Sequence, residues 1–360
     1  MSERELAIDE FLNNAGWGAA KRSPVPGDAS TRSYIRLERD GEHAVMMNSP
    51  YQTGEVLADP ADTPEIRIAK GYPAAARLAG SGVAPFIAIA GELSRRGFSA
   101  PRVLAADTDH GFALLEDFGA SVYARVIADD PAQEAPLYAA AVETLGEIYR
   151  SSFPVQMQAY DAPWTVQAYD TTALLTEVDL FLDWYVPDFG IGVSDDAKAE
   201  FHGLWTEAFA CLSAHAPGLA LRDFHAENLF WLPERDSVAR VGLIDFQDAL
   251  FAHPAYDLVS FLEDARRDVS RDLVEGLISQ FCEAAKIPDE EAFRRAYAVM
   301  GAQRNAKILG IFIRLAERDE KPSYRALIPR VKAHFLRNLN SAEMAPIAAW
   351  LTKHMPEVMS

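Results

Sequence analysis

The sequence predicts an α+β chain in two lobes: a small β-rich lobe over residues 1–118, then a larger, mainly helical lobe over residues 119–360. Two patterns predict it. Apolar residues alternate in short runs up to about residue 115, and beyond residue 119 they recur at helical spacing. A third observation concerns polar residues. The one short β-like interruption in the helical lobe holds two acidic motifs, around Asp223 and Asp245.

The elements follow in order. Residues 27 to 48 read as β-structure: Ile35 and Leu37 face one way, Tyr34 and Arg36 the other, and Asp40-Gly41 turns the chain back through His43 to Met47. Residues 49 to 84, rich in Pro, Gly and Ala, read as a loop with one short helix. Phe86, Ile89, Ala90 and Leu93 have helical spacing, and strands at 103–105 and 112–115 flank the turn Asp109-His110-Gly111. In the second lobe Leu137, Ala141, Leu145 and Ile148 form one apolar stripe. Phe201, Leu204, Trp205, Ala208, Phe209 and Leu212 form another, and residues 256–284 and 291–317 give two more helical regions. No internal repeat or low-complexity tract is visible.

With 49% hydrophobic and 24% charged residues, composition is that of a soluble globular protein with two proper cores. No apolar run is long enough to span a membrane, and the start, Met1-Ser2-Glu3-Arg4-Glu5, lacks an apolar signal core. Cys211 and Cys282 sit in apolar helical patterns and read as buried free thiols, so the cytoplasm is the expected compartment. A net charge of −19 opposes nucleic-acid binding, which needs a basic face.

The most informative stretch is Leu221-Arg222-Asp223-Phe224-His225-Ala226-Glu227-Asn228, followed by Leu243-Ile244-Asp245-Phe246. Asp223 and Asn228 suit a loop that turns back and aims both side chains into one cleft. Val241 to Ile244 reads as a buried strand that delivers Asp245 at its end. The set supplies a carboxylate able to take a proton (Asp223) and two oxygen ligands for Mg²⁺ (Asn228 and Asp245). Phosphoryl transfer from ATP to a hydroxyl needs both. His225 reads as a structural histidine beside the metal-binding loop.

Upstream, Gly27-Asp28-Ala29-Ser30-Thr31-Arg32 is a small-residue loop that can fold over phosphates, with Gly27, Asp28, Ser30, Thr31 and Arg32 as candidate contacts. Read alone, it is also a plain hairpin turn. Leu114-Leu115-Glu116-Asp117-Phe118-Gly119 reads as a connection between the lobes, where Glu116 and Phe118 would border an adenine.

Taken together, these residues resemble the aminoglycoside phosphotransferase family, the small-molecule branch of the protein-kinase-like fold. The family pattern stands here as Asp223-Phe224-His225-Ala226-Glu227-Asn228, Ile244-Asp245-Phe246 and His253-Pro254-Ala255-Tyr256-Asp257-Leu258. Gly27 to Ser30, Glu92-Leu93, Leu114 to Gly119, Asp179 to Tyr185, and Gln303 to Phe312 look most like the bacterial anomeric kinases of N-acetylmuramate and N-acetylglucosamine. The resemblance implies a monomeric enzyme that binds ATP and Mg²⁺ in the cleft between lobes. It would phosphorylate the anomeric hydroxyl of a cell-wall amino sugar in peptidoglycan recycling. It implies a nucleotide role for Glu92 and a supporting role for Asp257, which would fasten the catalytic loop through backbone hydrogen bonds.

The sequence departs from the family in three places. Leu221 and Arg222 replace the usual His-Gly, and Met stands in the strand Ala44-Val45-Met46-Met47 where a phosphate-pairing Lys is expected. Arg32 and Arg36 are the nearest substitutes. A sugar acceptor wants carboxylates, amides and an aromatic face; on one helix Glu177 and Asp179 offer carboxylates and Trp184 an aromatic face, although the same residues also read as solvated surface acids and a core tryptophan. Arg304 and Asn305 interrupt an otherwise apolar helix and are further acceptor candidates, though an internal salt bridge would also serve Arg304. A kinase of an aminoglycoside or amino alcohol, or a nucleotide-binding pseudokinase, remains the alternative.

Overall fold

The computed structural model describes residues 2–25, 32–59 and 61–359. The candidate phosphate contacts Gly27, Asp28, Ser30 and Thr31 lie outside the described residues.

The first lobe opens with a helix the sequence reading missed, α1 (Glu3–Asn14), started by a capping box between Ser2 and Glu5. Five antiparallel strands follow, β1 (Lys21–Val25), β2 (Ser33–Arg39), β3 (Glu42–Asn48), β4 (Val103–Asp107) and β5 (Phe112–Glu116), in the order β1-β2-β3-β5-β4. β1 was also missed: its pattern is polar because four of its five residues are exposed. The alternation of β3 divides the lobe. Ala44 and Met46 join Phe11, Leu12, Trp17 and Phe112 in a core beneath α1, while Met47 faces the main core. Between β3 and β4 lie α2 (Pro64–Lys70), a π-helical turn Pro73–Arg77, and α3 (Ala84–Arg95). The expected single short helix before residue 84 is thus two helical pieces.

The second lobe runs through α4 (Tyr123–Asp129), α5 (Glu134–Arg150), the hairpin β6 (Gln156–Ala159) and β7 (Ala162–Thr165), and α6 (Thr171–Leu180) with a π-helical extension Phe181–Tyr185. After α7 (Asp195–Phe209), two short ribbons pair β8 (Gly218–Ala220) with β11 (Leu250–Ala252) and β9 (Leu229–Trp231) with β10 (Val241–Leu243). The helices α8 (Ala255–Leu262), α9 (Arg271–Ala284), α10 (Glu290–Glu317), α11 (Ile328–Asn338) and α12 (Ala345–His354) complete it. None of the described helices is long and apolar enough to cross a membrane.

The lobes are stitched at the end of α3. Leu243 N–H donates to the Ser99 carbonyl at 2.8 Å, and the Ser99 hydroxyl donates to the Ala239 carbonyl at 2.5 Å. Phe246 stacks on Phe86 of α3, with centroids 4.7 Å apart and planes 12° from parallel. The strand that delivers Asp245 is therefore held by both lobes.

The long helix α10 is buried along most of its length, and it meets α6 at Gly310. A Cβ there would run into the Leu180 backbone carbonyl, so glycine permits the close approach. Gly310→Ala is expected to cost about 1–3 kcal/mol, the usual range for overpacking. A denaturant titration with a shifted midpoint and an unchanged slope checks it.

Candidate active site

Asp257, at the start of α8, anchors the loop that carries Asp223. Its carboxylate is buried and accepts the N–H groups of Leu221 at 2.5 Å and Arg222 at 2.8 Å. Burial pushes its pKa up to about 7, against the pull of those two amides. Arg222 takes a left-handed conformation, φ 76°, which favours glycine and turns the chain sharply into Asp223. Beyond it the loop closes on itself. Asn228 N–H donates to the His225 carbonyl at 2.9 Å, and the Asn228 side-chain amide donates to the Asp223 carbonyl at 2.9 Å. His225 Nε2 lies 3.1 Å from the same amide, so that nitrogen acts as an acceptor. With its nitrogen so committed, the Asn228 side-chain oxygen is left to ligate a cation.

Asp245 also has a left-handed backbone, φ 60°, two residues past β10. Its carboxylate lies 3.5 Å from the Asn228 amide nitrogen, accepts from Gln247 Nε2 at 3.1 Å and pairs with Arg32 at 2.9 Å. Burial raises its pKa, and the nearby Asp223 and Asp248 add to that, while Arg32 opposes it. Burial works against the charge of Arg32, but Asp245, Tyr34, Asp248 and Asp223 outweigh it and raise its pKa. These carboxylates call for positive charge. Among the described residues no group of three or more His, Cys, Asp or Glu could hold a metal by itself. The Asn228–Asp245 pair suits a Mg²⁺ ion that draws its remaining ligands from phosphates and water.

Two cavities meet at Arg32 and Asp245. The first, of about 360 Å³, lies between the lobes and is walled by Val45, Phe86, Leu115, Phe118, Phe230 and Ile244. Glu116 and Phe118 both line it, as the sequence suggested. Glu116 pairs with Arg235 at 2.7 Å, and that guanidinium lies over the Phe118 ring. Arg36 also lines it but is tied to Asp117 at 2.7 Å and to the Gly119 carbonyl at 3.0 Å. Arg32 is thus the arginine paired with Asp245. Met47 is fully buried, on the same side of β3 as Val45. Glu92 is not in this cavity: Arg95 and Arg96 of its own segment hold its two carboxylate oxygens.

The second cavity, of about 440 Å³, holds Asp223, Asp245, His225, Arg77, Asp248, Tyr256, Asp264, Arg304 and Lys307. Of the expected acceptor residues only Arg304 lines it. Asn305 is one step further round α10 and turns inward, donating to Glu263 at 2.6 Å. Asp179 pairs outward with His202 at 2.6 Å and Lys198 at 3.2 Å, and Trp184 packs against the core from the π-helical turn. Glu177 has no exposure at all: it pairs with Arg222, with Lys307 at 2.9 Å and with the Tyr169 hydroxyl. Sequence reasoning missed Lys307, Asp264, Arg77 and Asp248. Lys307 carried a usable signal, since it stands three residues after Arg304 on the same helix face.

A model of the family described as "Phosphotransferase enzyme family" (APH) matches residues 21–297. The chain is 41% identical over 355 residues to a protein of Caulobacter vibrioides named N-acetylmuramate/N-acetylglucosamine kinase, covering 99% of this chain and 98% of that one. A Pseudomonas putida protein of the same name is 31% identical over 92% of this chain and 87% of its own length. Among solved structures, choline kinase LicA from Streptococcus pneumoniae superposes with a TM-score of 0.57 at 11% identity, covering 92% of this chain and 100% of that one. The fold is the protein-kinase-like two-lobe fold.

The Glu177 cluster yields a prediction. Glu177→Gln would leave two buried cations facing a neutral amide, at a cost of about 3–5 kcal/mol. Because Arg222, which precedes Asp223, loses its counter-ion and keeps only its bonds to backbone carbonyls, the loop carrying Asp223 should loosen. Stability and kcat are expected to fall together with KM for the nucleotide little changed, measured by thermal unfolding and steady-state kinetics.

Proposed function

We propose that this chain, which belongs to the phosphotransferase enzyme family (APH), transfers the γ-phosphoryl group of ATP to the anomeric hydroxyl of N-acetylmuramate and/or N-acetylglucosamine. One observation carries the reading. Asp223, Asn228 and Asp245 converge where the two cavities meet, in a chain 41% identical along its length to a relative so named. Residues 1–118 form the nucleotide lobe and residues 119–360 the catalytic and acceptor lobe. The protein works as a cytoplasmic monomer in amino-sugar salvage from peptidoglycan.

Each residue has a role in this scheme. ATP lies in the apolar interlobe cavity, with its adenine against Glu116 and Phe118. Asn228 and Asp245 would hold a Mg²⁺ ion, which would supply charge neutralisation at the phosphates. The sugar enters the second cavity with its anomeric oxygen at Asp223. Asp223 takes the hydroxyl proton as that oxygen forms its bond to the γ-phosphorus and the bond to the leaving ADP oxygen breaks. The anomeric hydroxyl is the most acidic of a sugar's hydroxyls, so an ordinary carboxylate suffices. Asp257 and His225 keep the loop in shape.

The experiment that tests the reading follows the product. ATP with either N-acetyl sugar should give an acid-labile sugar 1-phosphate that no longer reduces, and the 1-O-methyl glycoside should stay unphosphorylated. A product that still reduces would assign another hydroxyl. Turnover only with aminoglycosides or choline would move the chain to another acceptor class, and no turnover despite ATP binding would make it a pseudokinase.

Arg32 takes the place of the missing lysine. It is always charged and pairs bidentately with phosphate oxygens. Arg32→Met is expected to raise KM for ATP about tenfold or more, in line with the loss of one charge-assisted contact, and to leave KM for the sugar nearly unchanged. A silent Arg32→Met, together with tighter ATP binding in Met47→Lys, would refute the substitution.

A further inference from the structure

We infer that Arg304 reads a carboxylate on the acceptor, so the cavity prefers the acid-bearing N-acetylmuramate over neutral N-acetylglucosamine; this rests on the functional reading above. Arg304 lines the second cavity yet is only 8% exposed. One of its terminal nitrogens donates to the Ser260 hydroxyl at 2.7 Å. The other, Nη1, is buried with no hydrogen-bond partner. Among the described residues Arg304 forms no direct ion pair, although its charge reaches the buried carboxylates of Asp257 and Glu263, whereas the other cations lining the cavity are directly paired. Lys307 is held by Glu177 at 2.9 Å, Arg77 by Glu55 at 3.3 Å, Arg266 by Glu227 at 2.9 Å and Arg32 by Asp245 at 2.9 Å. A buried guanidinium is costly to leave unpaired, and a planar carboxylate is the group its fork fits best.

The chemistry of the surroundings agrees. The overall charge is −19, so the chain as a whole does not attract anions, and a buried, unpaired cation in this one cavity is a local provision. Ile308 and Ile311 continue the lining past Arg304 and offer an apolar wall to the methyl of a lactyl ether. Asp264, on the same cavity, has one carboxylate oxygen held by the Arg266 N–H at 2.8 Å and the other, Oδ2, buried without a partner. That oxygen suits a donor such as a sugar hydroxyl.

The test compares N-acetylmuramate with its lactamide, in which a neutral carboxamide of the same shape replaces the carboxylate, on the unaltered enzyme. N-acetylglucosamine is run alongside. The lactamide should show a KM about 10–100-fold higher than the acid, the range expected for losing a charge-assisted hydrogen bond. In Arg304→Gln the acid and the lactamide should become equivalent, and the preference for N-acetylmuramate over N-acetylglucosamine should collapse towards unity. Equal KM values for acid and lactamide on the unaltered enzyme would overturn the inference while leaving the kinase reading intact. So would an Arg304→Gln variant that loses both sugars by one common factor, which would assign Arg304 to their shared acetamido group. Failure of the unaltered enzyme to phosphorylate any N-acetyl sugar would instead overturn the kinase reading, and this inference with it.

Discussion

A single carboxylate without solvent contact, that of Glu177, holds together the parts on which the site depends. It sits on α6 and meets Arg222 of the catalytic loop and Lys307 of α10. Through Arg222 it also reaches the carbonyls of Ala76 and Arg77 in the first lobe's connecting segment. Burial raises the cost of its charge, but the two cations outweigh that and hold its pKa below the usual carboxylate value. One anion between two cations, with a Tyr169 hydroxyl completing the set, satisfies groups that would each be prohibitive alone.

This cluster explains how an arginine stands where the backbone favours glycine. The left-handed turn at Arg222 is strained for any side chain with a Cβ, and locally it is closed by the Asp223 N–H donating to the Leu221 carbonyl at 3.0 Å. Compensation comes from across the lobe, through Glu177 and two backbone carbonyls. Beneath the same turn, Asp257 receives the Leu221 and Arg222 amides, so the backbone is gripped from one side and the side chain from the other. Asp223 follows directly after this doubly held residue.

Some of this was readable in the sequence and some was not, and the division is physical. The convergence of Asp223, Asn228 and Asp245 is legible because a short loop and a three-residue strand bring them together and such local geometry leaves a spacing, while the role of Asp257 follows from the family resemblance. The expectation of a lysine in β3, where Met47 stands, comes from the family resemblance. The setting of Glu177 was not legible, because Tyr169, Arg222 and Lys307 reach it from separate elements and nothing in its own helix announces them. Its place on one helix with Asp179 and Trp184 suggests an acceptor contact, whereas its charge is consumed inside the protein. Arg304 and Asn305 were grouped as neighbours, but a step of one residue on a helix turns the side chain by about 100°, so one faces the cavity and the other Glu263. Glu92 was assigned by resemblance, and the two arginines that follow it on its own segment take up both its oxygens.

The pairing of Arg222 with Glu177 bears on how such an enzyme can be altered by design. A catalytic loop with glycine in that place is close to a self-contained cassette, since its backbone turn needs no help from elsewhere. This loop is not one. Grafted into another scaffold, it would bring a long cation that needs a buried acid on a helix distant in sequence. Replacing Arg222 by glycine in this chain would ease the turn but leave Glu177 with half its counter-charge. Exchange between this loop and a glycine-bearing one therefore reaches beyond the loop, because a one-residue route between them passes through a protein whose buried acid has lost one of its two cations.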